Sequence, residues 1–397
     1  MSKLDQLIKE LCPNGVPHKT LGELGTFYGG LSGKSKEDFK GGNDKFITYM
    51  NVYSNPALKL DVTDTVRISE GEKQNIVKYG DVVFTGSSET PDECGISSVL
   101  TQHTSEKLYL NSFCMGYRLN DLSQFLPDYL KHLFRCSNLR EQIKKTASGV
   151  TRFNVSKDKM KKVVIPIPPL PVQSEIVRIL DNFTELSAEL SAELSARKKQ
   201  YNYYRDTLYS TSDTEVIWTT LNNISVNCDR KRKPVTKGNR VSGKYPYYGA
   251  SGIVDYVENY IFDGDYLLIS EDGANLLARS TPIAFSISGK NWVNNHAHVL
   301  QFETYELRRY VEIYLNSIDL SRYISGGAQP KLNQENLNKI PIPVPSFERI
   351  KFVVNILDQF DMFCRDISEG LPAEIEGRRK QYEYYRDKLL TFKEKVN

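Results

Sequence analysis

Polar side chains with fixed donor and acceptor geometry recur at corresponding points of the two halves of the chain. The residues in the first half are Thr85, Ser87, Ser88, Glu89, Asn111, Thr151, Arg152 and Asn154, and those in the second half are Glu271, Asp272, Asn275, Asn294, Asn295, Gln329, Lys331 and Asn333. These types can read base edges, since Arg and Lys suit guanine, Asn and Gln suit adenine, and Glu and Asp suit cytosine. The alternative is turn capping by Ser, Asn and Asp, which would account for about half of these residues.

Positive charge is concentrated in one segment, although the formal net charge of the whole chain is only +3. Between Asp229 and Tyr245, seven basic residues stand against one acid and are interleaved with glycines. A flexible basic loop suits a nucleic-acid backbone, because each neutralised phosphate releases counterions. A solubilising surface loop is the alternative. The predicted contacts are Arg230, Lys231, Arg232, Lys233, Lys237, Arg240 and Lys244, with Lys34, Lys36, Tyr247 and Tyr248 as further candidates.

Sequence motifs for catalysis are absent. The chain has neither a glycine-rich cofactor loop with an Asn/Asp-Pro-Pro-Tyr pocket for base methylation nor a Gly-x-x-x-x-Gly-Lys-Ser/Thr loop for ATP. The acids between Glu89 and Glu93 lack a lysine partner nearby, and His296-Ala-His298 is a weak metal pattern that more often marks packed or DNA-facing polar groups. We therefore predict no catalytic residue, no metal and no cofactor in this chain.

The compartment follows from hydropathy and cysteine spacing. No apolar run approaches the roughly 18 residues of a membrane span, and the first ten residues lack the apolar core of a secretory signal. The six cysteines are scattered without a Cys-x-x-Cys pair. We expect a cytoplasmic protein with no membrane contact and with reduced cysteines in its core.

The chain is an internal tandem duplication. Arg197–Asp206 returns as Arg378–Asp387, 181 positions later, with eight of ten positions identical. Ile165–Pro168 likewise returns as Ile340–Pro343. Such a repeat of one ancestral unit predicts two similar structural halves.

Each half is predicted to hold a globular part followed by a long helix. Runs such as Asp81–Thr85 and Tyr266–Ser270 predict strands, and Asp128–Lys145 and Tyr305–Tyr323 predict helices, which together indicate a mixed α/β (α+β) fold with mainly antiparallel sheets. The predicted divisions are an N-terminal helix (1–16), a first domain (17–164), a central helical region (165–212), a second domain (213–339) and a C-terminal helical region (340–397).

The two helical regions carry coiled-coil periodicity. From Ile176 to Leu208, apolar or aromatic residues recur at heptad spacing, and the second copy repeats the pattern with a break expected at Gly370-Leu-Pro372. We expect the two helices to pack as an antiparallel pair that separates the domains about a pseudo-twofold axis.

Several of these segments resemble a known family. They are the helix start Leu170–Ile176, the duplicated Lys-Gln-Tyr-x-Tyr-Tyr-Arg-Asp, and Tyr245–Gly252 with Ile269–Ala274 in the second domain. Over essentially its whole length the chain resembles the specificity subunit of type I restriction-modification enzymes. The second helix start, Pro345–Ile350, departs from the pattern because it lacks a counterpart of Gln173.

The resemblance implies a non-catalytic subunit whose two target recognition domains each read half of a bipartite site in double-stranded DNA. Its helices would set the spacer and dock two modification subunits, which bring S-adenosylmethionine-dependent adenine methylation, while restriction subunits bring ATP- and Mg-dependent cleavage. The triple Glu-Leu-Ser-Ala repeat at Glu185–Ala196 would adjust the spacer length. The residues assigned to spacing and docking are Leu186, Leu190, Leu194, Tyr201, Tyr204, Tyr382 and Tyr385.

Two other functions remain open from the sequence. A self-sufficient modification enzyme would methylate DNA without partners. A pure protein-binding scaffold would show DNA binding that is absent or insensitive to salt.

Overall fold

The computed structural model describes residues 2–210, 215–326, 329–365 and 370–395. The chain divides into two compact units: unit 1 comprises Met1–Ala192 with Glu374–Asn397, and unit 2 comprises Glu193–Ala373. The domain boundary predicted between residues 212 and 213 lies outside the described residues. Within the described part, no helix is both long enough and apolar enough to cross a membrane.

Unit 1 combines short helices with four small sheets. Its helices before the long central one are α1 (Lys3–Leu11), α2 (Leu21–Leu24), α3 (Tyr49–Ser54), α4 (Pro127–Leu133), α5 (Ser137–Lys144) and α6 (Lys157–Met160). Its strands are β1 (His18–Thr20), β2 (Gly25–Gly29), β3 (Asp44–Ile47), β4 (Thr65–Val66), β5 (Val82–Thr85), β6 (Ser87–Ser88), β7 (Ser97–Val99), β8 (Leu108–Leu110), β9 (Cys114–Leu119), β10 (Ala147–Ser148), β11 (Phe153–Val155) and β12 (Val164–Pro166).

The central sheet of unit 1 has the order β2-β9-β5-β7 and is antiparallel. Every residue of β5 is buried, because this inner strand of Val82, Val83 and Phe84 is covered on both faces. Two further sheets have the orders β4-β3-β8 and β10-β11-β6, and the second of them contains Ser87, Ser88 and Asn154. The strand predicted at Asp81–Thr85 is confirmed.

Unit 2 continues the pattern after the long helix α7 (Leu170–Leu208), within which the division between the units falls. Its strands are β13 (Ile217–Thr219), β14 (Val226–Asn227), β15 (Ser242–Gly249), β16 (Gly252–Val257), β17 (Phe262–Asp263), β18 (Tyr266–Ser270), β19 (Ala284–Ile287), β20 (Lys290–Val293), β21 (Ala297–Gln301) and β22 (Ile342–Val344). Its helices are α8 (Leu221–Ile224), α9 (Asn275–Ala278), α10 (Tyr305–Ser317), α11 (Gln334–Leu337) and α12 (Phe347–Arg365).

The sheets of unit 2 have the orders β14-β21-β18-β19, β16-β15-β20-β17 and β13-β22. The fully buried strand β18 corresponds to β5 of unit 1, and the strand predicted at Tyr266–Ser270 is confirmed. Pairing is antiparallel throughout the sheets of both units except between β3 and β8 and between β15 and β20. The predicted mixed α/β class with mainly antiparallel sheets is therefore confirmed.

The long helices contribute to the core of each unit. In unit 1, Leu4 of α1 and Ile176 and Leu180 of α7 join one hydrophobic cluster with Leu390, which follows α13 (Leu371–Leu389).

Gly370 is not helical and Pro372 lies in the first turn of α13, where proline costs no hydrogen bond. This placement agrees with the break predicted at Gly370-Leu-Pro372.

Candidate nucleic-acid interface

Three of the predicted polar segments meet in unit 1. Strand β6 pairs with β11, which places Ser87 opposite Asn154 and Ser88 opposite Phe153. The amide of Gly86 donates to the carbonyl oxygen of Phe113 at 2.7 Å. The segments around Ser87, Asn111 and Arg152, which are far apart in sequence, therefore lie together.

A tight turn between β10 and β11 presents part of this surface. Gly149 adopts a φ of +151°, and a Cβ at this position would lie 1.9 Å from the carbonyl oxygen of Arg152. Only glycine fits there. The turn leaves Thr151, Arg152 and Asn154 exposed.

Some candidates in unit 1 are engaged in local hydrogen bonds. Thr85 is buried, and its Oγ1 donates to the carbonyl oxygen of Glu93 at 3.3 Å and accepts from the Ile96 amide at 2.9 Å. Ser88 Oγ donates to the Glu93 carboxylate at 3.1 Å, and Asn111 Oδ1 accepts from an amide two residues on. These three side chains shape the surface, whereas Glu89 is exposed beside them.

The corresponding segments also meet in unit 2. Asp272 forms a bridge with Lys331, and the Leu332 amide donates to the carbonyl oxygen of Glu271 at 2.8 Å. The Glu271 amide in turn donates to the carbonyl oxygen of His296 at 2.9 Å. Position 326 again requires glycine, because Gly326 has a φ of +83° and a Cβ there would lie 2.4 Å from the Gln329 carbonyl oxygen.

Ion pairs set the electrostatics of this place in unit 2. Glu271 Oε2 lies 2.6 Å from Arg232 Nη1, and its other oxygen lies 3.2 Å from Lys331 Nζ. Burial alone would raise the pKa of Glu271, but the hydrogen bond from Arg232 and the neighbouring positive charges lower it. Glu271 is therefore a carboxylate at neutral pH. The exocyclic amine of a nucleobase would have to compete with Arg232 and Lys331 for this carboxylate.

The two histidines flanking Ala297 have different surroundings. His298 is buried on β21, with Nδ1 2.6 Å from Asp229 and Nε2 2.8 Å from the Leu332 carbonyl oxygen. His296 is exposed, with Nδ1 2.8 Å from Asp272. His298 holds the segment of Leu332 against the sheet, while His296 lies at the surface.

The other polar candidates of unit 2 are either engaged in local hydrogen bonds or exposed. Asn275 Oδ1 accepts from the Thr281 amide, Asn294 Oδ1 accepts from the His296 amide, and Asn333 caps α11 by accepting from the Asn336 amide. The exposed candidates are Asn295, Gln329 and Lys331.

The basic segment is partly built into the fold. Arg232 is held by Glu271 and by the carbonyl oxygen of Ala297. Arg240 donates to Asp255 and lies over the buried ring of Tyr247 on β15. Tyr248, the next residue of β15, is half-buried. The exposed basic residues are Arg230, Lys231, Lys233, Lys237 and Lys244. In the first half, Lys34 pairs with Glu72 at 2.6 Å, whereas Lys36 is exposed.

Comparison with known proteins identifies the chain. The family model described as "Type I restriction modification DNA specificity domain" matches residues 13–197 and 220–377. The chain belongs to this family.

Two curated relatives are named as specificity subunits. A type I restriction enzyme specificity subunit of Haemophilus influenzae is 37% identical over 185 residues, which is 46% of this chain and 48% of that protein. The EcoR124I/EcoR124II specificity subunit of Escherichia coli is 36% identical over 263 residues, 60% of this chain and 65% of that protein. The matches thus span about half and just under two thirds of these two relatives.

A solved structure shares the fold. The type I restriction-modification S subunit from M. genitalium superposes with a TM-score of 0.58 at 17% identity, covering 94% of this chain and 96% of that one. The fold predicted from the resemblance to specificity subunits is therefore confirmed.

In this specificity-domain chain, the duplicated helical sequences form equivalent aromatic contacts. Phe183 stacks on Tyr385 in unit 1 with ring centroids 5.3 Å apart, and Phe360 packs on Tyr204 in unit 2 at 5.4 Å. Each pair thus joins one copy of Ile-Leu-Asp-x-Phe to the other copy of Tyr-Tyr-Arg-Asp. In unit 2, Arg349 also donates to the Leu208 carbonyl oxygen, so α7 and α12 run antiparallel there, as predicted.

The predicted spacing and docking residues differ in exposure. Tyr201 is buried in the cluster of unit 2, and Tyr382 packs on the core of unit 1. Leu186, Leu190 and Leu194 are half-buried, and Tyr204 and Tyr385 are just exposed.

Two residues beside the candidate interface were missed from the sequence. Met50 and Phe113 are large, exposed apolar side chains next to the polar segments of unit 1. Phe113 follows Asn111-Ser112 directly, so its position was a usable signal. Nothing in the sequence around Met50 indicates that α3 brings it to the same place.

Proposed function

We propose that this chain is the DNA-recognition subunit of a type I restriction-modification complex, and that each unit reads one half of a bipartite duplex target. The observation that carries this function is the convergence of three polar segments at one place in each unit, where Ser87 lies beside Asn154 and Asp272 beside Lys331. Readers at corresponding points of a duplicated chain suit a target with two half-sites.

The contacts divide into two kinds. Exposed side chains of the converging segments, such as Arg152, Asn154 and Gln329, are proposed to read base edges. The exposed cations Arg230, Lys231 and Lys233 are proposed to hold phosphates, which position the duplex without specifying its sequence.

We assign the chemistry to partner subunits and propose that this chain itself holds no catalytic group, metal or cofactor. Two modification subunits would supply S-adenosylmethionine-dependent methylation, and restriction subunits would supply ATP- and Mg-dependent cleavage. Support for docking comes from the exposed tyrosines Tyr203 and Tyr384, which occupy the same position of the duplicated helical sequence.

The cytoplasm, where DNA is accessible and thiols stay reduced, suits the five described cysteines, all free and buried.

Exchange of one domain tests the two-reader proposal. Residues 213–339 are replaced by the corresponding domain of another member of the family, and the methylated motif is mapped across the genome in cells carrying the modification subunits. One half of the motif should change while the other half is retained. A change in both halves would refute independent reading by the two units.

Two assays distinguish the other function classes. Methylation by the purified chain with S-adenosylmethionine and DNA alone would show a self-sufficient enzyme. Binding of the assembled complex to random duplex DNA should weaken steeply as salt rises, and salt-insensitive or absent binding would favour a protein scaffold.

A further inference from the structure

A cleft of about 420 Å³ lies among the converging segments of unit 1. Helix α3 contributes Tyr49 and Met50 to its walls, the loop before β9 contributes Phe113, and the β10–β11 turn contributes Arg152. Ser87 and Glu89 line it from β6 and the residue that follows. Four separate elements therefore build one recess at the candidate interface.

The rim of this cleft is apolar. Met50 is 60% exposed and Phe113 is 55% exposed, although both belong to residue types that are usually buried. The guanidinium carbon of Arg152 lies 5.4 Å from the centroid of the Phe113 ring, which holds the arginine at the edge of the cleft. A ligand that enters here meets two apolar surfaces and one positive charge.

The interior of the cleft offers hydrogen-bonding groups. Ser87 is only 7% exposed, and its Oγ has no hydrogen-bond partner among the described residues. A buried polar atom without a partner is costly, so this hydroxyl suits a ligand that supplies one. Glu89 is exposed and forms no ion pair within the described part of the chain.

Charge decides which part of a duplex fits. Glu93 is a second carboxylate in the cleft, and hydrogen bonds from the Tyr53, Thr90 and Ser88 side chains lower its pKa, so it stays ionised. Two carboxylates repel phosphate but accept hydrogen bonds from the exocyclic amines of bases. Phenylalanine and other apolar side chains contact the C5-methyl group of thymine in the major groove.

We propose that this cleft receives the major-groove edge of an A·T pair, with Met50 and Phe113 enclosing the thymine methyl group and Ser87 and Glu89 bonding to a neighbouring amine. Met50 and Phe113 are then specificity-determining residues of unit 1. The proposal rests on the proposed DNA-reading function and names the chemistry that unit 1 reads.

Deoxyuridine scanning tests this contact, because uracil lacks only the methyl group. The complex of the full chain with its modification subunits is titrated with duplexes of its mapped target, in which each thymine is replaced in turn. The half-site of unit 1 is the one retained after exchange of residues 213–339. One replacement there should weaken binding by about fourfold, the value of one buried methyl group.

Variants locate the methyl group. In Phe113→Ala and Met50→Ala, which remove exposed side chains, the unmodified target should bind more weakly and deoxyuridine at that position should cause less further loss. Phe347→Ala, which removes a 48% exposed phenylalanine from unit 2, is the matched control and should keep the full fourfold effect.

The proposal is overturned if the half-site of unit 1 contains no thymine on either strand, or if the deoxyuridine effect persists undiminished in both cleft variants. Failure of the DNA-reading function looks different. In that case the mapped motif would not depend on this chain, and domain exchange would alter neither half.

Discussion

At the scale of single residues, charge has two separate roles in unit 2. Arg232 and Arg240 are tied into the fold by Glu271 and Asp255, whereas Arg230, Lys231 and Lys233 are exposed. The sequence placed all five in one basic loop, because spacing along the chain does not show which cation has a buried partner. Only the exposed cations are free to hold phosphates.

Replacing Arg230, Lys231 and Lys233 with alanine should weaken binding of the assembled complex to specific and random duplexes alike. The slope of log K against log salt should become shallower by about 0.9 for each phosphate that the variant no longer neutralises. Arg232 is left unchanged, since its removal would take one cation away from the largely buried carboxylates of Asp229 and Glu271.

A charge-matched control replaces the exposed Lys9, Lys19 and Lys107 of unit 1 and should leave the slope nearly unchanged. An altered sequence preference with an unaltered slope would instead identify the three cations of unit 2 as base readers.

A second residue-scale feature is a buried histidine that joins the domain of unit 1 to both of its long-helix segments. His132 Nε2 lies 2.8 Å from Asp181 of α7, and Nδ1 lies 2.9 Å from the hydroxyl of Tyr382 of α13. Burial lowers the pKa of His132, and this effect outweighs the opposing hydrogen bond and charge of Asp181. The neutral ring suits both contacts, because it donates to Asp181 and accepts from Tyr382.

We expect acid to weaken unit 1 through this ring. Since the pKa of His132 is lower in the folded state, the unfolded chain binds more protons as pH falls through the ordinary histidine range near 6.5, and the free energy of unfolding decreases. The loss between pH 7.5 and 5.5, measured by urea unfolding, should be smaller in His132→Gln. His103→Gln, which alters an exposed ring, should retain the wild-type pH dependence, and equal dependence in all three proteins would contradict the assignment.

At the scale of elements, the start of α7 shows what one motif residue does. Gln173 is fully buried, and its side chain accepts from the Leu126 amide at 2.9 Å and donates to the carbonyl oxygens of Gln124 and Pro168 at 2.8 Å. It therefore fastens the first turn of the helix to the domain before it. The start of α12 has no such glutamine, and its Phe347 is exposed.

Gln173→Ala should destabilise unit 1 by about 3 kcal/mol, because it leaves buried backbone groups without partners. Urea unfolding of the full chain measures the loss, and faster hydrogen exchange at the Leu126 amide locates it. Gln102→Ala, at an exposed position, is the control and should change neither quantity. Unchanged exchange at Leu126 would show that the glutamine does not hold the helix start.

How much of the structure could be predicted from the sequence differs from one element to the next. Strands β5 and β18 were predictable because their apolar runs are continuous, and the helical repeats because eight of ten positions recur. The convergence of the polar segments was suggested only by their recurrence in both halves. The pairing of Arg232 with Glu271, 39 positions apart, and the arrival of Met50 at the cleft depend on tertiary packing, which periodicity does not encode.

At the scale of the whole molecule, unit 1 is assembled from both ends of the chain and unit 2 from its middle. The Val16 amide donates to the Lys393 carbonyl oxygen at 2.9 Å, and the Lys395 amide donates back to Val16 at 2.9 Å. Each unit consequently contains one segment of α7 together with a segment from the second long-helix region. Helix α7 contributes a long segment to each unit, whereas α13 crosses the division only with its first three residues, Leu371–Ala373. We therefore expect the length of α7 to be the variable that spaces two half-sites.

The three Glu-Leu-Ser-Ala repeats at Glu185–Ala196 lie across the division between unit 1 and unit 2, and none of their residues is buried. Adding or deleting one repeat therefore disturbs little packing. It changes the length of α7 by about 6 Å and the rotation of its end by about 400°, which is a net rotation near 40°. DNA advances by about 3.4 Å and turns by about 35° per base pair, so rotation stays nearly in phase. We expect variants with two, three and four repeats to keep both half-sites. The unread spacer should change by about one to two base pairs per repeat, as measured by methylome sequencing. A spacer of constant length across the series would show that α7 does not set the separation of the half-sites.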